Sequence, residues 1–181
     1  LPLWVADMEF PACEEVIEAL KRRAGHGIFG YTLEPESYYR AVIDWMERRH
    51  NWEIRRDWML AAPGVVPSLN LALLAYSEVG DGVIIQPPVY HPFKESIINN
   101  ERRVVENPLR LEGERYTMDF DQLEDTIDQR TRLLVLCSPH NPVGRVWTRK
   151  ELIRAGEIVL ANDAVVVSDE IHCELLFRGA S

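Results

Sequence analysis

Cysteine, lysine and long apolar runs are all scarce in this chain, and each scarcity removes a class of protein. Its 3 cysteines, Cys13, Cys137 and Cys173, are odd in number and lack metal-ligand or disulfide-framework spacing. They read as small buried hydrophobes in a reducing compartment. Lys21, Lys94 and Lys150 are the only lysines, the formal net charge is -9, and the pairs Arg22-Arg23, Arg48-Arg49, Arg55-Arg56 and Arg102-Arg103 are scattered among acids. Binding a nucleic-acid backbone relies on clustered cations, so no nucleic-acid partner is expected. No apolar stretch approaches the roughly 20 residues of a membrane span, and no signal-peptide pattern opens the chain, so no membrane partner is expected and the cytoplasm is the expected compartment. Repeats, low-complexity segments and flexible linkers are also missing. With 181 residues, 46% of them hydrophobic and 27% charged, what remains is an ordinary globular chain able to bury one sizeable core.

What is present is organised around Val165 to His172, reading Val-Val-Val-Ser-Asp-Glu-Ile-His. An apolar run that ends abruptly in acids is the pattern of a buried parallel strand at its carboxyl end. Ligands of open α/β sheets sit beyond such ends, which makes Asp169 the first candidate for chemistry. A second apolar run, Arg132 to Cys137, opens into the proline-dense turn Ser138-Pro139-His140-Asn141-Pro142-Val143-Gly144, and Arg149 to Ala161 between the two runs carries helix formers with apolar Leu152, Ile153, Ile158, Val159 and Leu160. Strand, helix, strand is the economical reading, and it puts Asn141 and Asp169 side by side at one sheet edge.

Further up the chain, residues 1–10 have no helical period and read as an extended arm, and a helix is expected from Pro11 to Ala24. Gly25-His26-Gly27-Ile28-Phe29-Gly30 matches the dinucleotide pattern G-x-G-x-x-G, with Glu47 at a suggestive distance. That motif works only between a strand and a helix start, and here a helix precedes it, so the reading is a glycine-rich helix stop. Tyr31 follows in a loop, and a second helix is expected from Glu36 to Arg49. A short strand over Asp57 to Ala62 would end at Pro63-Gly64 and lead into a helix over Val65 to Ser77. The free N–H groups of such a helix start, here of Val65 and Val66, favour an anion such as phosphate. Gly82 to Gln86 is the next buried strand, and it delivers Pro87-Pro88-Val89-Tyr90-His91-Pro92 to the same edge, where Tyr90 either stacks on a flat ligand or simply packs. A helix over Phe93 to Asn99, a strand over Arg103 to Asn107, an extended piece over Tyr116 to Asp119 and a helix over Phe120 to Ile127 complete the reading.

Four strand ends thus bring a phosphate-type turn, an aromatic plate, an amide and a carboxylate to one crevice. Pyridoxal phosphate has a phosphate, a flat ring and a basic ring nitrogen, and uses all four groups. Asp169 would keep the pyridinium protonated as an electron sink, Asn141 would bond the ring hydroxylate, and Tyr90 would cover one ring face. The phosphate would rest on the amides of Val65 and Val66. Glu170, next to Asp169, reads as structural, and His140 and His91 as exposed rim residues. His172 could be a packed histidine or, with Glu174, a metal ligand; one isolated pair does not make a site, so no metal is expected.

The runs Ser138 to Gly144 and Ser168-Asp169-Glu170-Ile171-His172 resemble the paired signatures of the fold-type I pyridoxal phosphate enzymes, the aspartate aminotransferase superfamily. Trp4-Val5-Ala6-Asp7-Met8-Glu9-Phe10, Gly30-Tyr31 and Pro88-Val89-Tyr90-His91-Pro92-Phe93 narrow the resemblance to the cystathionine β-lyase-like C-S lyases of bacteria. It implies an α/β fold, the mostly parallel sheet of a fold-type I large domain in an α/β/α sandwich. The expected division is residues 1–10 as an arm or small-domain segment and 11–181 as the N-terminal part of the cofactor-binding domain. It also implies the roles above for Asp169, Asn141 and Tyr90, places His172 where many relatives have a tyrosine bonded to the cofactor oxygen, and puts Ala6 near the substrate carboxylate. Tyr31 matches a residue that reaches the phosphate of the neighbouring subunit, which implies a homodimer.

The turn Gly64-Val65-Val66 departs from the aspartate aminotransferases in having no hydroxyl side chains. The family's Schiff-base lysine and its substrate-carboxylate arginine are expected beyond Ser181, so the chain is read as truncated and as inactive alone. For the complete protein the expected activity is β-elimination on cystathionine or related cysteine S-conjugates. The alternatives are a class I/II-like aminotransferase on the same scaffold and a non-catalytic pyridoxal phosphate-binding regulatory domain; for either enzyme the expected partner is a small-molecule amino-acid substrate. Within the chain, Ala164 to Ser168 is expected to pair with Leu133 to Cys137, and that strand with Val83 to Gln86, all parallel, with Arg103 to Glu106 outside them. The strand near Met59 to Ala62 is expected to lack its neighbours.

Overall fold

The computed structural model describes residues 5–177 and 179, so Leu1 to Trp4 of the arm lie outside the described residues. The chain divides into two compact units, Leu1–Leu60 and Ala61–Ser181. In the first, α1 (Glu14–His26) ends at Gly27, whose φ of 75° is the left-handed stop expected of the glycine-rich run. The helix α2 (Glu36–His50) buries Tyr39, over whose ring the Arg56 guanidinium stacks at 3.5 Å. The strand expected over Asp57 to Ala62 does not form. A 3-10 turn, Arg56–Trp58, occupies its start, and Met59 has extended angles (φ -103°, ψ 127°) but lies in no ladder. An extended segment becomes a strand only by pairing, which is why apolar patterning alone misread it.

The second unit is built on four parallel strands, β1 (Gly82–Ile85), β2 (Arg103–Glu106), β5 (Thr131–Cys137) and β6 (Val165–Asp169), in the order β2-β1-β5-β6. A separate hairpin, β3 (Arg110–Glu112) and β4 (Arg115–Thr117), turns at Gly113, whose φ is 64°. The pairings are those expected: Leu133 opposite Val165 through Cys137 opposite Asp169, and Val83 opposite Leu133.

Alternate residues of each central strand enter opposite cores, so both faces must be covered. Val83, Ile85, Leu133, Val135 and Cys137 pack against Leu69 and Leu73 of α3 (Val65–Tyr76) and Phe93 and Ile97 of α4 (Pro92–Asn99). Ile84, Leu134 and Leu136 pack against Leu123 of α5 (Phe120–Thr126) and Ala155, Ile158 and Val159 of α6 (Arg149–Ala161). This is the α/β/α sandwich, and its double burial explains why β1 and β5 read as continuous apolar runs. The strand β6 departs from that expectation: it is the sheet's edge among the described residues, and its three valines are only half-buried. No helix among the described residues is long and apolar enough to cross a membrane.

The start of α6 is closed by a capping box, in which Glu151 N–H donates to Thr148 Oγ1 at 3.3 Å and Thr148 N–H donates to Glu151 Oε2 at 2.7 Å. Leu134 is fully buried at the centre of the sheet. Leu134→Ala should therefore cost about 2–5 kcal/mol in urea unfolding of the protein, and Thr148→Ala about 1 kcal/mol. Equal costs for the two would contradict the core assignment.

Candidate functional site

The carboxyl ends of the strands carry the polar residues. Ser138 N–H donates to the Asp169 carbonyl at 3.0 Å, just beyond the opposed pair Cys137 and Asp169. The chain then turns sharply. His140 N–H donates to Arg145 O at 2.7 Å and Gly144 N–H to His140 O at 2.8 Å, with Gly144 at φ 70° closing the turn. Asn141 sits half-buried at its tip, and its N–H donates to Cys137 Sγ at 3.4 Å, while the thiol donates to Pro139 O at 3.3 Å. Burial, with a smaller effect of the nearby Asp169 charge, pushes the Cys137 thiol up to about 11, against the Asn141 N–H.

Helix α3 begins at Gly64 without a capping side chain. Ser68 N–H reaches the Gly64 carbonyl at 3.1 Å, so the first intrahelical bond leaves the N–H groups of Val65 and Val66 ahead of it without an intrahelical acceptor; Pro67 has none to offer. Val65, Ser68, Phe93 and Asp169 line one cleft of about 90 Å³. The Asp169 carboxylate is half-buried there and accepts the Ile171 N–H at 3.1 Å. Asn141 and His172 line a larger groove of about 590 Å³, together with Arg115, His140 and Arg145. Tyr90 lines a third hollow, of about 390 Å³, and its ring meets Phe93 edge-on at 5.8 Å between centroids.

Asp169 and Val65 thus share one cleft, Asn141 and His172 line a second and Tyr90 a third, so the single crevice expected from the four strand ends is divided among three hollows; the side chains that converge on it in the expectation are set apart by the turns that follow each strand. Ala6 and the fully exposed Tyr31 belong to the first unit. His140 overturns its reading as a rim residue, because the ring is 1% exposed. Its burial has an internal cause: the ring lies edge-on to Trp147, with centroids 5.4 Å apart. Nothing in the Pro-His-Asn-Pro pattern announced this. The signal was Trp147, a large apolar residue soon after the turn that needed something to pack on. Lys21 and Lys94 are ion-paired to Glu18 and Glu106, at 2.8 and 2.9 Å, and Lys150 lies in α6.

A protein-family model described as aminotransferase class I and II matches residues 1–181. The chain is 46% identical over 180 residues to a cystathionine beta-lyase, PatB, of Bacillus subtilis, covering 99% of this chain and 46% of that protein. Among solved structures, cystalysin from Treponema denticola, described as containing a pyridoxal 5'-phosphate cofactor, matches with a TM-score of 0.94 at 45% identity, over 99% of this chain and 46% of that one. The pyridoxal phosphate-bound C-S lyase from Staphylococcus hominis matches with a TM-score of 0.93 at 33% identity, over 98% of this chain and 46% of that one. The chain spans about half the length of the curated relatives it matches.

The thiols offer a direct check on the local geometry. With its titration near 11, Cys137 holds only about one part in 10³ as thiolate at pH 8, whereas Cys13 is exposed. A disulfide-exchange reagent at pH 8 should modify Cys13 first and Cys137 last, as read by peptide mass mapping over time. Equal rates would show that the Cys137 thiol is not held between Pro139 and Asn141.

Proposed function

The chain belongs to the class I and II aminotransferase family, and from that membership we propose that it forms the amino-terminal part of a pyridoxal phosphate-dependent C-S lyase. The residues fit the cofactor by their chemistry. An uncapped helix start supplies N–H donors to a dianionic phosphate, and the carboxylate that suits a protonated ring nitrogen lines the same cleft. That shared cleft is the observation that carries the reading.

Once bound, the cofactor supplies an electron sink for the carbanion formed at a substrate's α-carbon. Asp169 accepts the hydrogen bond of the ring N–H, and its negative charge keeps the proton on that nitrogen. The N–H groups of Val65 and Val66 hold the phosphate, with no hydroxyl side chain to assist them. Asn141 would donate its side-chain amide to the ring oxygen, His172, in the same groove, would assist it, and Tyr90 would offer its ring to the cofactor's aromatic system. Ala6 and Tyr31 lie in the first unit, and by the family resemblance Ala6 would serve the substrate carboxylate and Tyr31 the neighbouring subunit of a homodimer. Residues 1–10 act as an arm, and 11–181 belong to the cofactor-binding domain. The amine that moves the substrate's α-proton comes from elsewhere in the complete protein.

The substrate class we propose is cysteine S-conjugates such as cystathionine, cleaved by β-elimination to a thiol, pyruvate and ammonia. The similarity to PatB favours this over transamination. In the complete protein, pyruvate should appear from cystathionine with no keto-acid acceptor added, and a strict requirement for an acceptor would identify an aminotransferase instead. Asp169→Ala should lower the lyase rate on the order of 10²–10³-fold and weaken cofactor binding; a variant that keeps most of its rate removes Asp169 from the site. The 181-residue chain alone should yield no pyruvate, and borohydride should fix no cofactor on Lys21, Lys94 or Lys150.

A further inference from the structure

We propose that His140 is a positioning residue whose buried imidazole ties the loop bearing Tyr90 to the turn bearing Asn141, and so sets the spacing between the aromatic ring and the amide. The inference rests on the cofactor reading above and assigns a role to a residue that reading leaves unused.

The two segments need such a tie. Strands β1 and β5 are adjacent, and their register runs through Ile84 opposite Leu134. After the strands end at Ile85 and Cys137, the chains continue into Gln86 to Tyr90 on one side and Ser138 to Gly144 on the other. His140 Nε2 then meets the Pro88 carbonyl at 3.0 Å, across a sequence separation of 52 residues. A carbonyl only accepts, so Nε2 carries the ring proton and Nδ1 does not need one. Burial pushes the His140 pKa down, with the neighbouring carbonyls of Pro88, Cys137 and Gln86 acting the other way, and the neutral ring is the form that fits.

The imidazole is also held from behind. Its backbone N–H and carbonyl are both engaged within the turn, with Arg145 and Gly144. Its ring packs edge-on against Trp147, and Trp147 Nε1–H donates to the Cys137 carbonyl at 2.9 Å. Nδ1 is buried without a hydrogen-bond partner, so the ring is held through Nε2, its packing on Trp147 and its own backbone, and a ring held at these three points can transmit position. Asn141 follows it directly in sequence, and Tyr90 lies two residues beyond Pro88.

The test uses the complete protein and reads three quantities: pyridoxal phosphate affinity of the apo-protein by fluorescence titration, visible circular dichroism of the bound cofactor, and the apo-protein's thermal midpoint. His140→Phe keeps an aromatic ring against Trp147 but has no N–H. It should raise the cofactor Kd about tenfold, the equivalent of 1.4 kcal/mol, and reduce the visible dichroism. His140→Gln, which can extend an amide N–H toward Pro88, should recover most of both. His140→Asn, too short to reach, should behave as His140→Phe does, and it serves in its place if the phenylalanine variant does not fold. In an Asn141→Ala background the loss from His140→Phe should shrink, because the two residues act through one placement.

A drop in thermal midpoint alone, with wild-type affinity and dichroism, would make His140 structural and overturn the proposal. So would a glutamine variant as weak as the phenylalanine one, or full additivity with Asn141→Ala. Wild-type protein that binds no pyridoxal phosphate overturns the cofactor reading itself, and this inference with it.

Discussion

The pairing of β5 with β6 is the constraint on which the site depends. Parallel strands in register end at the same edge, so the opposition of Cys137 and Asp169 brings the next residues of both chains into one place. The Ser138 N–H, bonded to the Asp169 carbonyl, extends that registration one step past the sheet. A slip of one residue would turn Asp169 to the other face and carry the Val165-Val166-Val167 packing with it. The register is fixed because β5 is buried on both faces, with Leu133, Leu134 and Val135 essentially inaccessible.

The two edges of the sheet are treated differently by charge. At the amino ends, the buried Asp81 accepts the Glu78 N–H and pairs with Arg130, and these partners hold its carboxyl below the ordinary range in spite of burial. Arg103 and Asp128 close the same edge at 2.7 Å. At the carboxyl ends, the Asp169 carboxylate accepts the backbone N–H of Ile171. The amino edge has its charges matched internally, and at the carboxyl edge Asp169 lines the cleft it shares with Val65 and Ser68. Ion pairs also stand at the carboxyl edge, Lys94 with Glu106 and Arg145 with Glu151, so what marks that edge is the Asp169 carboxylate, at the strand ends where ligands of open α/β sheets bind.

Much of the second unit was legible from sequence because burial on both faces leaves an unmistakable pattern. Leu133 to Cys137 and Val83 to Ile85 are uninterrupted apolar runs, and Arg149–Ala161 carries helix formers. The hairpin was missed because its strands are only three residues long, although Gly113-Glu114 between them is a glycine-led two-residue turn. The strand expected near Met59 failed for the opposite reason: extended preference is local, but a strand is a relation between two segments. The edges of the site were harder to read than its centre. Asp169 could be located because it ends β6 and Asn141 because it lies in the proline-dense turn after β5, whereas the burial of His140 depends on Trp147, which returns to the turn from seven residues later.

The start of α3 shows how backbone can stand in for side chains. Val65 and Val66 bring no hydroxyl, so any anion bound there is held by N–H groups whose direction the chain conformation alone must set. Gly64 sets it. Its φ of 149° lies outside the range that residues with a Cβ adopt, yet a Cβ built there would meet Pro67 Cδ at 3.6 Å, an ordinary contact. The glycine is therefore required for its conformation and not for space. The Ser68 hydroxyl, which could have faced an anion, instead donates to the Gly64 carbonyl at 2.8 Å. That bond and the Ser68 N–H together fix the carbonyl of the capping residue, leaving the N–H groups of Val65 and Val66 as the donors that remain.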